Sequence, residues 1–284
     1  MPSAAVNGTV LQYEVVGDGP TCLVCHGWLG TDHTYLRPSL DRLGSHVQLV
    51  YYDHRGHGRS GGSAPGALTM EQLADDAAEL ATHLGAERVL VLGHHQGAAV
   101  AQELAVRQPE RVAGLILVAA SPGELGKQES LADFLDAPPV PPEVEVLQRV
   151  PPASDEEWLA TVRALGRFFF HRVGTAEREE PFARAVCNAE AVGESMLALG
   201  WWSCVDRLAG VAAPALVVAG RHDVFNPPHQ AERIARHLPL ARTVVLDDSG
   251  HLPWLEQPDA FVSAVGDWLR DVGLSAGRTG PGPS

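Results

Sequence analysis

One stretch, from Val89 to Val100, restricts what this chain can fold into more than any other. Four apolar residues, Val89-Leu90-Val91-Leu92, are followed by Gly93-His94-His95-Gln96-Gly97 and then by a run of small residues. The apolar run predicts a buried strand, and the small residues predict a helix packed closely behind it. The two glycines allow a sharp turn between them. This is the layout of a nucleophile elbow, which exposes its central side chain, here His95.

Further motifs lie before and after this elbow in the chain. They are Cys25-His26-Gly27-Trp28, Tyr52-Asp53-His54-Arg55-Gly56-His57-Gly58-Arg59-Ser60, Gly220-Arg221-His222-Asp223 and Ser249-Gly250-His251-Leu252-Pro253. Together, in this order, they resemble the α/β-hydrolase superfamily over roughly residues 8 to 272, on the side of proline iminopeptidases, small esterases and hydrolase-like enzymes of secondary metabolism. The resemblance implies an α/β-hydrolase fold: a mostly parallel eight-stranded sheet flanked by helices, with an inserted helical lid. The family expects Ser where this chain has His95.

The resemblance also implies which residues form the site. Asp223 follows a predicted apolar strand, at the place where the family keeps the acid of its catalytic triad. His251 lies on the loop after the last predicted strand and matches the family's catalytic histidine. The backbone N–H groups of Trp28 and Gln96 would form the oxyanion hole. We therefore predict a site made of His95, His251 and Asp223 with these two backbone donors.

The composition changes after residue 121, where prolines cluster and aromatic-rich helical segments follow. We predict that residues 1–121 and 205–273 form the α/β-hydrolase core and that residues 122–204 form a helical lid. Residues 274–284, which contain Gly, Pro and Ser, are expected to be a disordered tail. Some aromatic side chains should pack within the lid itself, and others should contact a hydrophobic ligand. The predicted pocket residues are Trp28, Trp158, Phe169, Trp201 and Trp202.

Two other segments give more ordinary predictions. The pattern predicts a first helix over Asp32–Leu43. The segment Asp53–Ser60 is rich in His, Arg and Gly, which suggests a metal or phosphate site at first sight. In relatives it is mainly a structural loop, and we expect its Asp and Arg to hold neighbouring backbone.

Composition limits the classes of partner. The formal net charge of −14 argues against a nucleic acid partner, because phosphate binding needs a basic surface. No apolar stretch approaches membrane-spanning length and no signal peptide is evident, so we expect a soluble, cytoplasmic protein without a membrane partner. The four cysteines are expected to be reduced packing residues. No metal or cofactor is predicted, and the sequence indicates no particular oligomeric state.

The chemistry depends on what His95 can do in place of Ser. The retained oxyanion hole and the Asp223-oriented His251 could stabilise an enolate or alkoxide while a histidine moves a proton. Two facing imidazoles also lower each other's pKa, which keeps at least one neutral. We therefore favour a nonhydrolytic acid–base enzyme acting on a small hydrophobic, aromatic or polyketide-like natural product by elimination, cyclisation, isomerisation or C–C bond formation.

Three other functions remain open at this point. The protein could be an ester or amide hydrolase in which His95 is the nucleophile or activates water. It could be a non-catalytic binding protein, although it retains both Asp223 and His251. It could be a cofactor-independent dioxygenase, but such relatives keep Ser at the elbow and place their acid after the strand that here ends at Ala119. The sequence does not distinguish a natural histidine at position 95 from an engineered one.

Overall fold

A computed structural model describes residues 1–27, 30–62, 66–123, 151–172, 174 and 180–275. An eight-stranded sheet, in the order β1-β2-β4-β3-β5-β6-β7-β8, forms its centre. The pairs β1–β2 and β2–β4 are antiparallel, and the other five pairs are parallel. The predicted mostly parallel eight-stranded sheet is therefore confirmed. The strands are β1 (Ser3–Val6), β2 (Thr9–Val16), β3 (Thr21–Cys25), β4 (Gln48–Tyr52), β5 (Val89–His94), β6 (Val112–Val118), β7 (Ala215–Gly220) and β8 (Ala241–Leu246).

Helices cover both faces of this sheet. In the described part of the chain the α-helices are α1 (Met70–His83), α2 (Gln96–Arg107), α3 (Asp155–Phe169), α4 (Ala189–Gly200), α5 (Pro228–His237), α6 (Pro253–Glu256) and α7 (Pro258–Asp271). Short 3₁₀ segments are His33–Leu36, Ser39–Ser45, Pro109–Arg111, Glu180–Phe182 and Val205–Gly210.

The predicted helix over Asp32–Leu43 is wrong in kind. Two 3₁₀ segments, His33–Leu36 and Ser39–Ser45, occupy this stretch. Pro38 lies between them, and its ring supplies no N–H and restricts the residue before it, so one continuous α-helix does not form.

The core is divided between the two faces of the sheet. Alternate residues of the central strands point to opposite sides, as the two-residue period of a strand requires. Leu23 packs with residues of α1, α2 and α5, whereas Val24 packs with residues of α3 and α7. Cys22 and Cys25 lie in different halves of the core, as their spacing predicts, and the four cysteines are free and buried.

The predicted division into core and lid stays a prediction. All eight strands lie in residues 1–121 or 205–273, and α3 and α4 lie within 122–204. Residues 124–150, 173 and 175–179 of the proposed lid are outside the described residues. Leu274 and Ser275, the first two residues of the predicted tail, contact the core: the Leu274 N–H donates to the Leu269 carbonyl at 2.8 Å, and the Ser275 hydroxyl lies 3.1 Å from the His46 ring. The rest of that tail is not among the described residues.

The described helices include none that is long and apolar enough to cross a membrane.

Candidate active site

His95 lies on a tight turn between β5 and α2. Its backbone has φ 49° and ψ −111°, a left-handed conformation that side chains other than glycine rarely adopt and that costs about 1–3 kcal/mol. A Cβ on Gly97 would lie 2.0 Å from the Cys25 carbonyl oxygen, and one on Gly93 would lie 2.3 Å from the Gly97 carbonyl oxygen. Neither position can carry a side chain without moving backbone. The predicted sharp turn is therefore present, and its central residue, His95, is partly buried.

The structure brings His95, His251 and Asp223 into one hydrogen-bonded row. Asp223 Oδ2 lies 2.9 Å from His251 Nδ1, and His251 Nε2 lies 2.9 Å from His95 Nδ1. The carboxylate can only accept, so His251 carries its proton on Nδ1 when neutral. His251 Nε2 then accepts from the His95 Nδ1–H. This leaves a lone pair on His95 Nε2, which has no hydrogen-bond partner among the described residues.

Backbone hydrogen bonds hold the two partners of His95 in place. The second oxygen of Asp223, Oδ1, accepts from the N–H groups of Phe225 at 2.8 Å and Asn226 at 3.0 Å. The His251 N–H donates to the carbonyl of Phe169, the last residue of α3, at 2.7 Å. The site therefore depends on α3 as well as on the sheet.

Burial and charge set the protonation of this row. Burial would raise the pKa of Asp223, but the positive charge and hydrogen bond of His251, with the two backbone N–H donors, outweigh it and lower that pKa. Burial, with the charge of His251, lowers the pKa of His95 to about 3. Asp223 is therefore a carboxylate and His95 a neutral imidazole at neutral pH.

A second hydrogen-bond chain, missed by the sequence analysis, runs beside the first. The Gly27 N–H donates to the Tyr35 hydroxyl oxygen at 2.8 Å, the Tyr35 oxygen lies 2.7 Å from His94 Nδ1, and His94 Nε2 lies 3.2 Å from the His251 carbonyl. Burial and the charges of His251 and His95 lower the pKa of His94 well below its usual value, so this ring is neutral. A carbonyl only accepts, so His94 donates from Nε2 and Tyr35 donates to His94 Nδ1.

This chain connects the β3 loop to the loop of His251. Gly27 directly precedes Trp28, for which an oxyanion-hole role is predicted. Because each hydrogen bond in the chain has one allowed direction, the chain fixes both loops together. No local sequence signal marks Tyr35, which meets His94 only in the folded chain.

The structure describes only one of the two predicted oxyanion-hole donors, Gln96. Gln96 is the first residue of α2, so its backbone N–H has no acceptor within the helix and lies at the positive end of the helix dipole. Its side chain is fully buried, and neither polar atom of the amide has a hydrogen-bond partner in the described part of the protein. Trp28 lies outside the described residues, so its part in the hole stays a prediction.

A cavity of about 340 Å³ opens beside His95. Its lining combines apolar and uncharged polar side chains, and Trp202 is the only predicted pocket aromatic among its described lining residues. The indole of Trp202 donates to Glu103 at 2.8 Å, which fixes the ring. The lining residues are His95, Ala99, Ser121, Gly123, Leu199, Gly200, Trp202, Phe225, Asn226 and Gln230.

None of the other described pocket aromatics lines this cavity, so their contact with a ligand stays a prediction. Trp158 is buried among the core residues of α3, as part of the apolar packing beneath the sheet face. Trp201 caps the C-terminal end of α4 with its side chain 79% exposed, directed to solvent. Phe169 is buried and stacks on Phe225, with ring centroids 5.1 Å apart, and its ring centroid lies 6.0 Å from that of His251.

In the segment Asp53–Ser60, the side chains of Asp53 and Arg55 hold neighbouring backbone in place, as expected. Asp53 accepts from the N–H groups of His33 and Arg59. Arg55 forms a two-point ion pair with Asp76 and donates to the Asn7 carbonyl. Among the described residues no three His, Cys, Asp or Glu side chains form a group that could hold a metal ion.

With this geometry described, the chain can be compared with known proteins. A model of the alpha/beta hydrolase family matches residues 22–264, well over half of the chain. The chain belongs to the alpha/beta hydrolase family. Since this family supplies the fold to many reactions, the relatives matter for the choice among them.

Three similar proteins show which reactions occur among relatives of this chain. A putative carbamate hydrolase, RutD, of Agrobacterium fabrum is 29% identical over 262 residues, which are 88% of this chain and 95% of that protein. A pimeloyl-[acyl-carrier protein] methyl ester esterase of Yersinia enterocolitica is 28% identical and covers 92% of this chain and 97% of its own length. The crystal structure of an enol-lactonase from Burkholderia xenovorans LB400 superposes with a TM-score of 0.76 at 27% identity, covering 95% of this chain and 100% of the lactonase. This alpha/beta hydrolase is therefore an enzyme whose relatives are hydrolytic.

Proposed function

We propose that this protein hydrolyses small carboxylic esters or carbamates, and that His95 passes a proton from water to His251. The observation that carries the proposal is the row from Asp223 through His251 to His95, with two 2.9 Å contacts. At the end of the row, His95 Nε2 has no partner in the described part of the chain. The hydrolytic relatives, which include a carbamate hydrolase and an ester hydrolase, support the same reaction class.

The proton moves along the row without leaving a charge on His95. A water molecule gives a proton to His95 Nε2 while the Nδ1 proton of His95 passes to His251 Nε2. The imidazolium that forms is on His251, beside the carboxylate of Asp223, where it is stabilised. His95 has a pKa of about 3 and would be a poor resting place for the charge.

The hydroxide then attacks the carbonyl carbon, and the backbone N–H of Gln96 donates to the developing oxyanion. The bond to the leaving oxygen or nitrogen breaks as the proton returns from His251 through His95 to the leaving group. One water is consumed, an acid and an alcohol or amine are released, and both histidines regain their starting tautomers.

Direct attack by His95 Nε2 on the substrate suits this geometry less well. Acylation would block the ring nitrogen through which the proton must return, since His251 Nε2 faces His95 Nδ1 at 2.9 Å. Once His251 had lost its proton, two nitrogen lone pairs would face each other. We therefore place His95 as a proton carrier and water activator.

The nonhydrolytic acid–base function stays a prediction that uses the same residues. The hydrolytic relatives favour hydrolysis.

The test is an assay of the native protein and of His95→Ser on aryl esters and carbamates and on aromatic polyketide-like compounds. Product masses and rapidly quenched intact protein masses are recorded. We expect hydrolysis by the native protein with a linear time course and no acyl adduct. His95→Ser places a hydroxyl on the elbow and serves as the matched variant that can form an acyl-enzyme.

Each other result has a defined meaning. An acyl adduct on native His95 would overturn the water-activating role and leave a hydrolase with a histidine nucleophile. Turnover without added water in the product mass would overturn hydrolysis and support the nonhydrolytic reaction. Absence of any turnover, with ligand binding retained, would support a binding protein.

A further inference from the structure

Asn226 is a buried polar side chain of the cavity whose amide group is left unused. The residue is 8% exposed and lines the cavity together with His95. Its backbone N–H donates to Asp223 Oδ1 at 3.0 Å, but its side-chain amide makes no hydrogen bond to a described residue. Buried amides are normally paired, because an unmade hydrogen bond is costly.

Apart from His95 Nε2, which takes part in the proposed proton relay, the other polar side chains of the described lining already have partners. The Ser121 hydroxyl donates to Gln230 Oε1 at 3.2 Å, and Gln230 Nε2 lies 3.0 Å from His229 Nε2. The available hydrogen-bonding capacity of this wall is therefore concentrated on Asn226. Its position is fixed relative to the proton relay, because Asp223 holds both its backbone and His251.

The rest of the lining indicates which ligand group Asn226 would bind. Leu199, Trp202 and Phe225 present apolar surface, and neither Lys nor Arg occurs among the described lining residues. An anionic group here would lose its hydration without a counter-charge in the described lining, because the buried Arg233 guanidinium is already bound to the Gly123 carbonyl and Gln230 Oε1. It would also lie close to the carboxylate of Asp223. A primary amide offers two donors and one acceptor without charge, so it matches a neutral hydroxyl or carbonyl.

The volume of this cavity, about 340 Å³, lies at the small end of the range that is usual for ligand pockets. It suits a small substrate.

We propose that Asn226 forms a subsite for a neutral oxygen function, so that the enzyme selects small uncharged esters or carbamates carrying a hydroxyl or carbonyl group over plain alkyl and carboxylated ones. The proposal rests on the hydrolytic function proposed above. It adds the class of substrate and a residue that determines it.

The test measures binding without turnover, so that it stands apart from the hydrolytic reaction. Methyl pentyl ketone, its counterpart with a terminal hydroxyl and the corresponding keto acid cannot be hydrolysed. Their dissociation constants are measured by calorimetry with the native protein, Asn226→Leu and Asn226→Ala. We expect the native protein to bind the hydroxy ketone about five- to tenfold more tightly than the plain ketone, which is the usual effect of one neutral hydrogen bond, and to bind the keto acid most weakly.

Both variants should bring the ratio of the hydroxy ketone to the plain ketone close to one. Asn226→Ala covers the case in which leucine is too large for the fold, and circular dichroism reports folding of each. An unchanged ratio in a folded variant, or tighter binding of the keto acid than of the hydroxy ketone by the native protein, would overturn the subsite. If the ratio falls as expected but no ester is hydrolysed, the subsite stands and only the proposed reaction fails.

Discussion

Asp223 is the residue that fixes the direction of the proton relay. Asp223→Asn keeps the size of the side chain but lets its NH₂ donate to His251 Nδ1, which moves the His251 proton to Nε2. Nε2–H then faces the His95 Nδ1–H, and the relay is blocked. We expect kcat for ester hydrolysis to fall about 10³- to 10⁴-fold with little change in KM, as a wrong tautomer causes in related triads.

The matched control for this experiment is Asp247→Asn. Asp247 is exposed and pairs with Arg221 on the surface, and a surface ion pair contributes little. Steady-state kinetics of the two variants separate the tautomer effect from a change in net charge. Equal activity of Asp223→Asn and the native protein would contradict the relay.

Tyr35 is the next residue with a defined chemical task. Tyr35→Phe removes both the acceptor of the Gly27 N–H and the donor to His94 Nδ1. We expect kcat to fall about fivefold, since one constrained hydrogen bond near the site is worth about 1 kcal/mol, while KM for small esters changes less. Tyr51→Phe is the control, because the buried Tyr51 hydroxyl has no hydrogen-bond partner within the described part of the protein. Equal kcat values for the two variants would show that the chain through His94 does not position the site.

We expect a substitution of Gln96 to stabilise the protein, whereas most substitutions destabilise a protein. The Gln96 amide is buried and has no hydrogen-bond partner among the residues that the structure describes. Gln96→Met should therefore raise the free energy of unfolding by about 1 kcal/mol, because a similar shape is kept and an unpaired polar group is removed. Gln102→Met is the contrasting variant: the Gln102 amide donates to the carbonyls of Ala98 and Ser121, each at 3.0 Å. We expect that variant to lose about 1–3 kcal/mol in urea unfolding. Destabilisation by Gln96→Met would mean that the amide has a partner in solution.

The residues of the relay were predictable because each follows a strand in a recognisable motif. Tyr35 was not, since it reaches the site only through tertiary packing. Asn226 lies three residues after Asp223, but the sequence does not show that its side chain faces the cavity. The same holds for two adjacent residues at a helix end, Trp201 and Trp202: they point in different directions, and the sequence does not tell which faces the cavity.

At the scale of elements, the turn between β5 and α2 is the feature that tolerates least change. A methyl group on Gly97 would lie 2.0 Å from the Cys25 carbonyl oxygen, a backbone atom of the neighbouring strand. We expect Gly97→Ala to lower the free energy of unfolding by several kcal/mol or to prevent folding. Gly210→Ala is the control, because a Cβ there meets nothing within 4 Å. Urea midpoints of the two variants measure the difference, and equal midpoints would contradict the close approach.

The strands were predicted more accurately than the helices. Parallel strands buried on both faces appear as continuous apolar runs, as in Val89–Leu92. The stretch Asp32–Leu43 has helical spacing as well, but Pro38 interrupts it. The prediction followed the spacing of the apolar residues. In the structure the backbone restriction of Pro38 prevents a continuous helix.

At the scale of the whole molecule, buried neutral histidines join distant parts of the chain. The rings of His26 and His54 lie 4.2 Å apart between centroids, and His57 packs on both at 5.5 and 5.7 Å. His57 Nε2 also lies 3.1 Å from the Ser195 hydroxyl on α4. The cluster therefore ties the β3 and β4 loops to a helix of the predicted lid.

Burial is the main cause that lowers the pKa of each ring of this cluster, to about 3 for His54 and about 4 for His57. In the unfolded chain a histidine titrates near its ordinary value of about 6.5. Below that pH the unfolded state binds protons that the folded state does not. Stability is therefore full above about pH 6.5 and falls as the pH decreases towards 4, by about tenfold in the folding equilibrium per pH unit for each such histidine.

The measurement is the free energy of unfolding in urea at pH 7.5 and at pH 5, for the native protein, His57→Gln and His83→Gln. Gln can replace the hydrogen bonds of His57 but takes up no proton, so this variant should lose less stability on acidification than the native protein, by about tenfold in the folding equilibrium for each pH unit below 6.5. His83, exposed in the last turn of α1, does not belong to the cluster, and its variant should follow the native protein. The same acid dependence in all three proteins would mean that His57 accepts its proton in the folded state as readily as in the unfolded one.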